Sequence, residues 1–88
     1  MSNTEKVLKL IEEGHHSTPA LYLSLVKQTP EEFAQMRKEL EGYDVTFEIR
    51  QTDGQYDLYL IDGRHDAMII VATNSQPEWL EERGFSLV

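Results

Sequence analysis

Three groups of side chains in this 88-residue sequence have types and spacings that chemistry could use. His15 and His16, together with His65, are the first and suggest metal ligation. Adjacent histidines rarely reach one ion unless a helix or strand places them, and the chain has neither a cysteine nor a pair of histidines at helical ligand spacing. The expectation is an exposed connector with no bound metal or other cofactor. Asp62, His65 and Asp66 are the second group, of acid–base type. They fall in and beside Asp62-Gly63-Arg64-His65, where a turn needs Asp and Gly for backbone reasons. No nucleophile stands next to a base and no glycine-rich phosphate loop is present, so the chain reads as non-enzymatic. The third group is Glu31, Glu32, Gln35 and Glu39, with Glu48 further on. A helix would turn the first four outward, and carboxylates so placed offer charge-assisted hydrogen bonds to a basic surface. Glu32 has a structural role of its own near a helix start. Glu39 lies near the C-terminal end of that helix, where negative charge is mildly unfavourable.

Composition narrows the choice. Sixteen acidic residues face eight basic ones, for a net charge of −8. Such a surface is soluble and repels nucleic acid and anionic lipid. With no cysteine there is no disulfide framework and no thiolate metal site. No apolar run approaches the roughly 20 residues of a membrane span, and the start of the chain carries no signal-peptide pattern, so the expected location is the cytoplasm and no membrane partner is expected. The length fits one domain over 1–88 with a modest core, which a partner or a second copy would help to stabilise.

The elements that must position these residues are legible in turn. Helix one is expected over 2–13, with Ser2 and Glu5 as a capping pair, Val7, Leu10 and Ile11 (Leu8 beside them) as its buried stripe, and Gly14 as its end. Helix two runs from about Pro19 to Lys27, capped by Ser17 or Thr18. It is apolar nearly all round: Leu21 and Leu25 form the core pair, and Tyr22, Leu23 and Val26 are expected to join the core by packing on later elements. Helix three follows at once. Thr29 caps it, Pro30 takes the first position, Glu32 closes a capping box, and Phe33, Met36 and Leu40 line one face. Gly42 is the expected left-handed stop.

From Tyr43 the period changes to two. Tyr43, Val45, Phe47 and Ile49 predict one buried strand face. Asp53-Gly54 predicts a type I′ hairpin turn. Gln55 to Ile61 returns, and Ala67 to Ala72, which does not alternate, predicts a third strand covered on both faces. Ser75-Gln76-Pro77-Glu78 reads as a third capping box opening a short helix, Pro77 to Arg83, that brings Trp79 and Leu80 to the core. Phe85, Leu87 and Val88 form an apolar tail. The expected fold class is therefore α+β: three N-terminal helices, a three-stranded antiparallel meander and a short C-terminal helix.

Val7-Leu8 and Leu10-Ile11, the Gly14 connector, Leu21 and Leu25, then Thr29, Phe33, Met36 and Leu40, Gly42 to Val45, and Asp53-Gly54-Gln55-Tyr56 make a pattern that resembles winged-helix DNA-binding domains. The closest likeness is to the N-terminal domain of biotin operon repressors, over residues 7–60. Residues 66–88 would be a strand–helix extension. The resemblance implies a third helix that enters the major groove and basic groups that hold phosphate. Here that helix starts with Glu31 and Glu32, and the hairpin sets Glu48, Asp53 and Asp57 against Arg50.

A winged-helix-like scaffold with an acidic reading face implies a non-catalytic module that binds a protein. It would act as a regulatory adaptor or as an acidic, DNA-mimicking inhibitor of a DNA-binding protein, through Glu31, Glu32, Gln35, Glu39 and Glu48. The alternative is a dimeric DNA-binding transcriptional regulator using Gln35, Arg37, Lys38 and Arg50. A homodimer joined through residues 66–88, its acidic face merely solvated, is the third reading.

Overall fold

The computed structural model describes residues 2–14 and 18–87. Three helices come first: α1 (Asn3–Glu13), α2 (Thr18–Val26) and α3 (Pro30–Glu41). Strands β1 (Val45–Thr52), β2 (Gln55–Asp62) and β3 (Ala67–Ala72) follow, and α4 (Pro77–Glu82) ends the order. The sheet is an antiparallel meander, β1-β2-β3, so β1 and β3 are both edges. This is the α+β arrangement expected.

Helices α2 and α3 cover one face of the sheet, and α1 packs on both of them. α3 packs on β1, and α2 on β3. Val7, Leu21, Leu25, Phe33, Leu40, Val45, Leu58, Leu60 and Leu80 are fully buried between the layers. At the centre the Phe33 ring lies 5.4 Å from Phe47, 5.9 Å from Phe85 and 6.2 Å from Trp79, the last two edge-on. Such offset pairs add to the apolar area each ring buries. The C-terminal segment is thereby fastened to α3. Arg83 tightens this: its guanidinium stacks over Trp79 at 4.2 Å and donates to the Trp79 and Gln28 carbonyls, each at 3.1 Å.

Several local expectations hold, each through short-range chemistry. The Thr29 hydroxyl accepts from Glu32 N–H at 3.1 Å and the Glu32 carboxylate accepts from Thr29 N–H at 2.9 Å, which completes the box. Asp53 and Gly54 both take positive φ (52° and 79°), as a type I′ turn demands. Ser2 caps α1 by accepting from Glu5 N–H.

Others are corrected. Gly42 stays right-handed (φ −66°), and Tyr43 N–H still bonds the Leu40 carbonyl. The left-handed residue is Asp44 (φ 60°), so β1 begins at Val45 and Tyr43 stands exposed outside the sheet. Gly63 N–H donates to the Asp44 carbonyl at 2.8 Å and fixes this corner. Pro77 holds the first position of α4, which makes Gln76 the cap; its side chain makes no capping bond, and Ser75 N–H is spent on the Tyr56 carbonyl. The expected third capping box is therefore absent. Helix two begins at Thr18, and Ser17, its other expected cap, lies outside the described residues.

Two corrections concern burial. Tyr22, Leu23 and Val26 lie outside the core, against expectation, and are 45, 54 and 37% exposed. One helix can turn only one stripe to the layer beneath it, and Leu21 and Leu25 fill that stripe. β3 is covered on one face, not two: Val71 is buried and Ile69 partly so, while Met68 and Ile70 are 46 and 38% exposed on the face without helices.

Candidate functional site

Helix α3 carries Glu31, Glu32 and Glu39, three of the four carboxylates expected to meet a partner. Its buried stripe is Phe33, Met36 and Leu40, which leaves Glu31, Glu32, Gln35 and Glu39 exposed on the other side. Glu31, Gln35 and Glu39 recur every four residues and so share one stripe, spanning about 12 Å at 1.5 Å per residue. The N-terminal end of α1 lies beside this stripe. Between them opens a groove of about 560 Å³, lined by Ser2, Asn3, Thr4, Glu31, Glu32, Gln35, Met36 and Glu39. No lysine or arginine lines it among the described residues.

The carboxylates in this groove are held differently. Glu32 is committed to the capping box by one oxygen. Glu39 accepts from the Thr4 hydroxyl on α1 and from Gln35 Nε2 at 2.8 Å. The Thr4 hydrogen bond, then that of Gln35, holds the Glu39 carboxyl below its ordinary value. These bonds give Glu39 a reason to sit near the C-terminal end of a helix: it ties α3 to α1. Glu31 makes no such bond that ties it to the fold among the hydrogen bonds of the groove, and its carboxylate is exposed at the rim.

Glu48 is not part of this groove. It lies on β1 with its side chain on the face turned away from α3, opposite Tyr59, and pairs with Arg50 at 3.0 Å. The alternative DNA-contacting set is likewise divided. Gln35 is in the acidic groove and Lys38 is exposed on α3. Arg37 is half-buried with its guanidinium 4.1 Å over the Phe85 ring, and burial lowers its pKa against the opposing pull of Glu41. Arg50 is across the sheet, beside Glu48 and over Tyr59 at 5.5 Å.

No family model, curated protein or solved structure matches this chain. Residue geometry alone therefore bears on its function.

The structure gathers the acid–base trio at the β2–β3 turn. Asp62 is buried at the end of β2 and accepts from Arg64 N–H at 3.1 Å, from Arg64 Nε at 3.4 Å, and sits 2.6 Å from His65 Nδ1. Burial raises its carboxyl, and the bonds from His65 and Arg64 outweigh that, leaving it below the ordinary value. Asp66 closes the turn in the left-handed region (φ 50°). His15 and His16 lie outside the described residues. Among those described, no group of three or more His, Asp or Glu is placed to hold a metal ion, and no helix is long and apolar enough to cross a membrane.

Lys6, Lys9 and Lys27 border a second groove of about 460 Å³ between α1 and α2, with Leu10 and Leu23 on its walls and Asn3 and Glu32 shared with the acidic groove. The three-residue spacing of Lys6 and Lys9 marks one helix side, but only the packing of α2 on α1 brings Lys27 alongside.

Proposed function

We propose that this chain is a non-catalytic protein-binding module that docks a basic protein surface in the acidic groove between α1 and α3. It acts as a regulatory adaptor or as an inhibitor whose carboxylates take the place of DNA phosphates, on a winged-helix-like scaffold and in the cytoplasm. The observation that supports this is the gathering of Glu31, Glu32, Gln35 and Glu39 around one open groove that lacks a lining cation. A cationic segment entering it would find one firmly placed carboxylate, Glu39, and two at the rim. Pre-placed acceptors of this kind lower the ordering cost of binding. Glu48 belongs to another face and would contribute only to the long-range field.

The test is a pair of substitutions chosen to spare the fold. Glu31→Gln and Glu32→Gln remove two charges, and Gln at the third helical position still closes a capping box. With an arginine-rich peptide as probe, the double variant binds more weakly while its circular dichroism and melting curve match the parent. Unchanged affinity removes this groove from consideration.

The second reading, a dimeric DNA-binding regulator, draws support from Lys6, Lys9 and Lys27 bordering one groove. It predicts binding to random duplex DNA at roughly 50 mM salt that fades steeply as salt rises. The acidic-groove reading predicts no such binding.

A further inference from the structure

Charged residues make up 27% of this chain, yet α2 (TPALYLSLV) and β3 (AMIIVA) contain none across their whole lengths. These two elements pack on each other at one side of the molecule. That side also holds nearly all the large apolar surface left open. Among the described residues the exposed large hydrophobics are Tyr22, Leu23, Val26, Met68 and Ile70, all on α2 or β3, and Tyr43. Met68 and Ile70 stand on the open face of the sheet. Tyr22 and Val26 stand on the helical side and border the residues that follow β3. Between these two pairs runs the free edge of β3, which pairs with β2 alone among the described residues.

An uncharged, apolar edge strand is a template for strand pairing, and proteins usually protect such edges with charge. The opposite edge, β1, has that protection in Glu48 and Arg50. β3 does not. We propose that a second copy of this chain covers it: β3 of one copy pairs antiparallel with β3 of the other about a two-fold axis. The sheet then runs continuously through both copies. Met68 and Ile70 meet their counterparts on the open face, and Tyr22 and Val26 approach theirs on the helical face. In a two-fold contact the same patch serves both copies, so it must complement itself. Charge selects this side as the self-contact. A molecule at −8 repels its copy through most of its surface, and the α2–β3 side is where two copies can meet without bringing like charges together. The acidic groove takes no part in this contact, so the two proposals succeed or fail separately.

The decisive experiment is sedimentation velocity on the full chain from low micromolar to near-millimolar concentration, beside three lysine variants. The parent is expected to reach twice the 10.2 kDa of one chain. Ile70→Lys is expected to remain monomeric throughout with unchanged circular dichroism, because that side chain is exposed in the single chain. Thr46→Lys, which makes the same charge change on the open face of β1, is expected to dimerise like the parent. Adding a lysine makes the net charge less negative and so weakens repulsion between copies, and loss of the dimer in Ile70→Lys alone therefore identifies the edge and not general repulsion. If Ile70→Lys loses its fold, Val26→Lys on α2 carries the same comparison. A parent that stays monomeric at every concentration, or a lysine variant at β3 or α2 that folds and still dimerises, overturns the proposal.

Discussion

Glu39 ties α3 to α1 and, in the proposed function, also offers its carboxylate to a partner. The bonds from Thr4 and Gln35 favour its ionised form, so its carboxyl in the folded protein lies below the unfolded value. A group depressed in this way contributes stability that is fully present above its unfolded pKa and is lost as pH falls through its folded one. Thr4→Val keeps the buried shape at that position and removes the hydroxyl. A carbon-detected NMR titration is expected to show the Glu39 carboxyl moving up toward the ordinary carboxylate range in this variant, and acid unfolding becoming less steep across that range. An unmoved Glu39 titration would mean that the Thr4 bond does not form in solution. Asp62, depressed by Arg64 and His65 after overcoming its burial, acts in the same sense and stays in place as an internal reference. The identity of Glu39 was legible in the sequence as a charge in an unusual place. Its tether was not, because Thr4 is thirty-five residues away and only packing of α1 on α3 brings them together.

At the scale of elements, α3 is fixed by its own ends. Removing the Thr29 hydroxyl frees Glu32 N–H, and such caps contribute about 1 kcal/mol. Thr29→Ala is therefore expected to lower Tm by about 4–8 °C in thermal unfolding, the shift that 1 kcal/mol produces in a domain of this size. A change of less than a degree would show that the box adds nothing. The elements readable from the sequence share this locality: the box at Thr29 and Glu32, the positive-φ pair at Asp53-Gly54, and the alternation of Val45 and Phe47 all act within a few residues. What could not be read depends on how much surface the neighbouring layer offers. Helix two is apolar on every side, and nothing within it says that only Leu21 and Leu25 will be covered. The run Ala67–Ala72 looks like a strand enclosed between layers, but with helices on one face alone its Met68 and Ile70 stay outside. Arg83 reads as an ordinary last residue of a helix, and its burial against Trp79 and the Gln28 carbonyl follows from the way α4 folds back over the connector between α2 and α3.

The whole molecule has an asymmetric surface. One side is acidic and grooved, between α1 and α3; another, made by α2 and β3, is apolar and free of charge; and the open face of the sheet carries Glu48 and Arg50 paired to each other. A net charge of −8 would draw a basic partner from any direction, but the carboxylates of the α1–α3 groove are on one side only. Salt separates these contributions: screening weakens the general attraction over a Debye length of about 8 Å at physiological ionic strength, while contacts within a groove are screened less.

Docking of a basic protein in the α1–α3 groove, as proposed, is checked by titrating isotope-labelled chain with an arginine-rich peptide at physiological salt and following the backbone amides by NMR. The expected result is a saturable set of shifts confined to Ser2–Thr4 and to the stretch of α3 from Glu31 to Glu39. Shifts spread evenly over every acidic residue, or centred on Glu48 and the open face of the sheet, would contradict it.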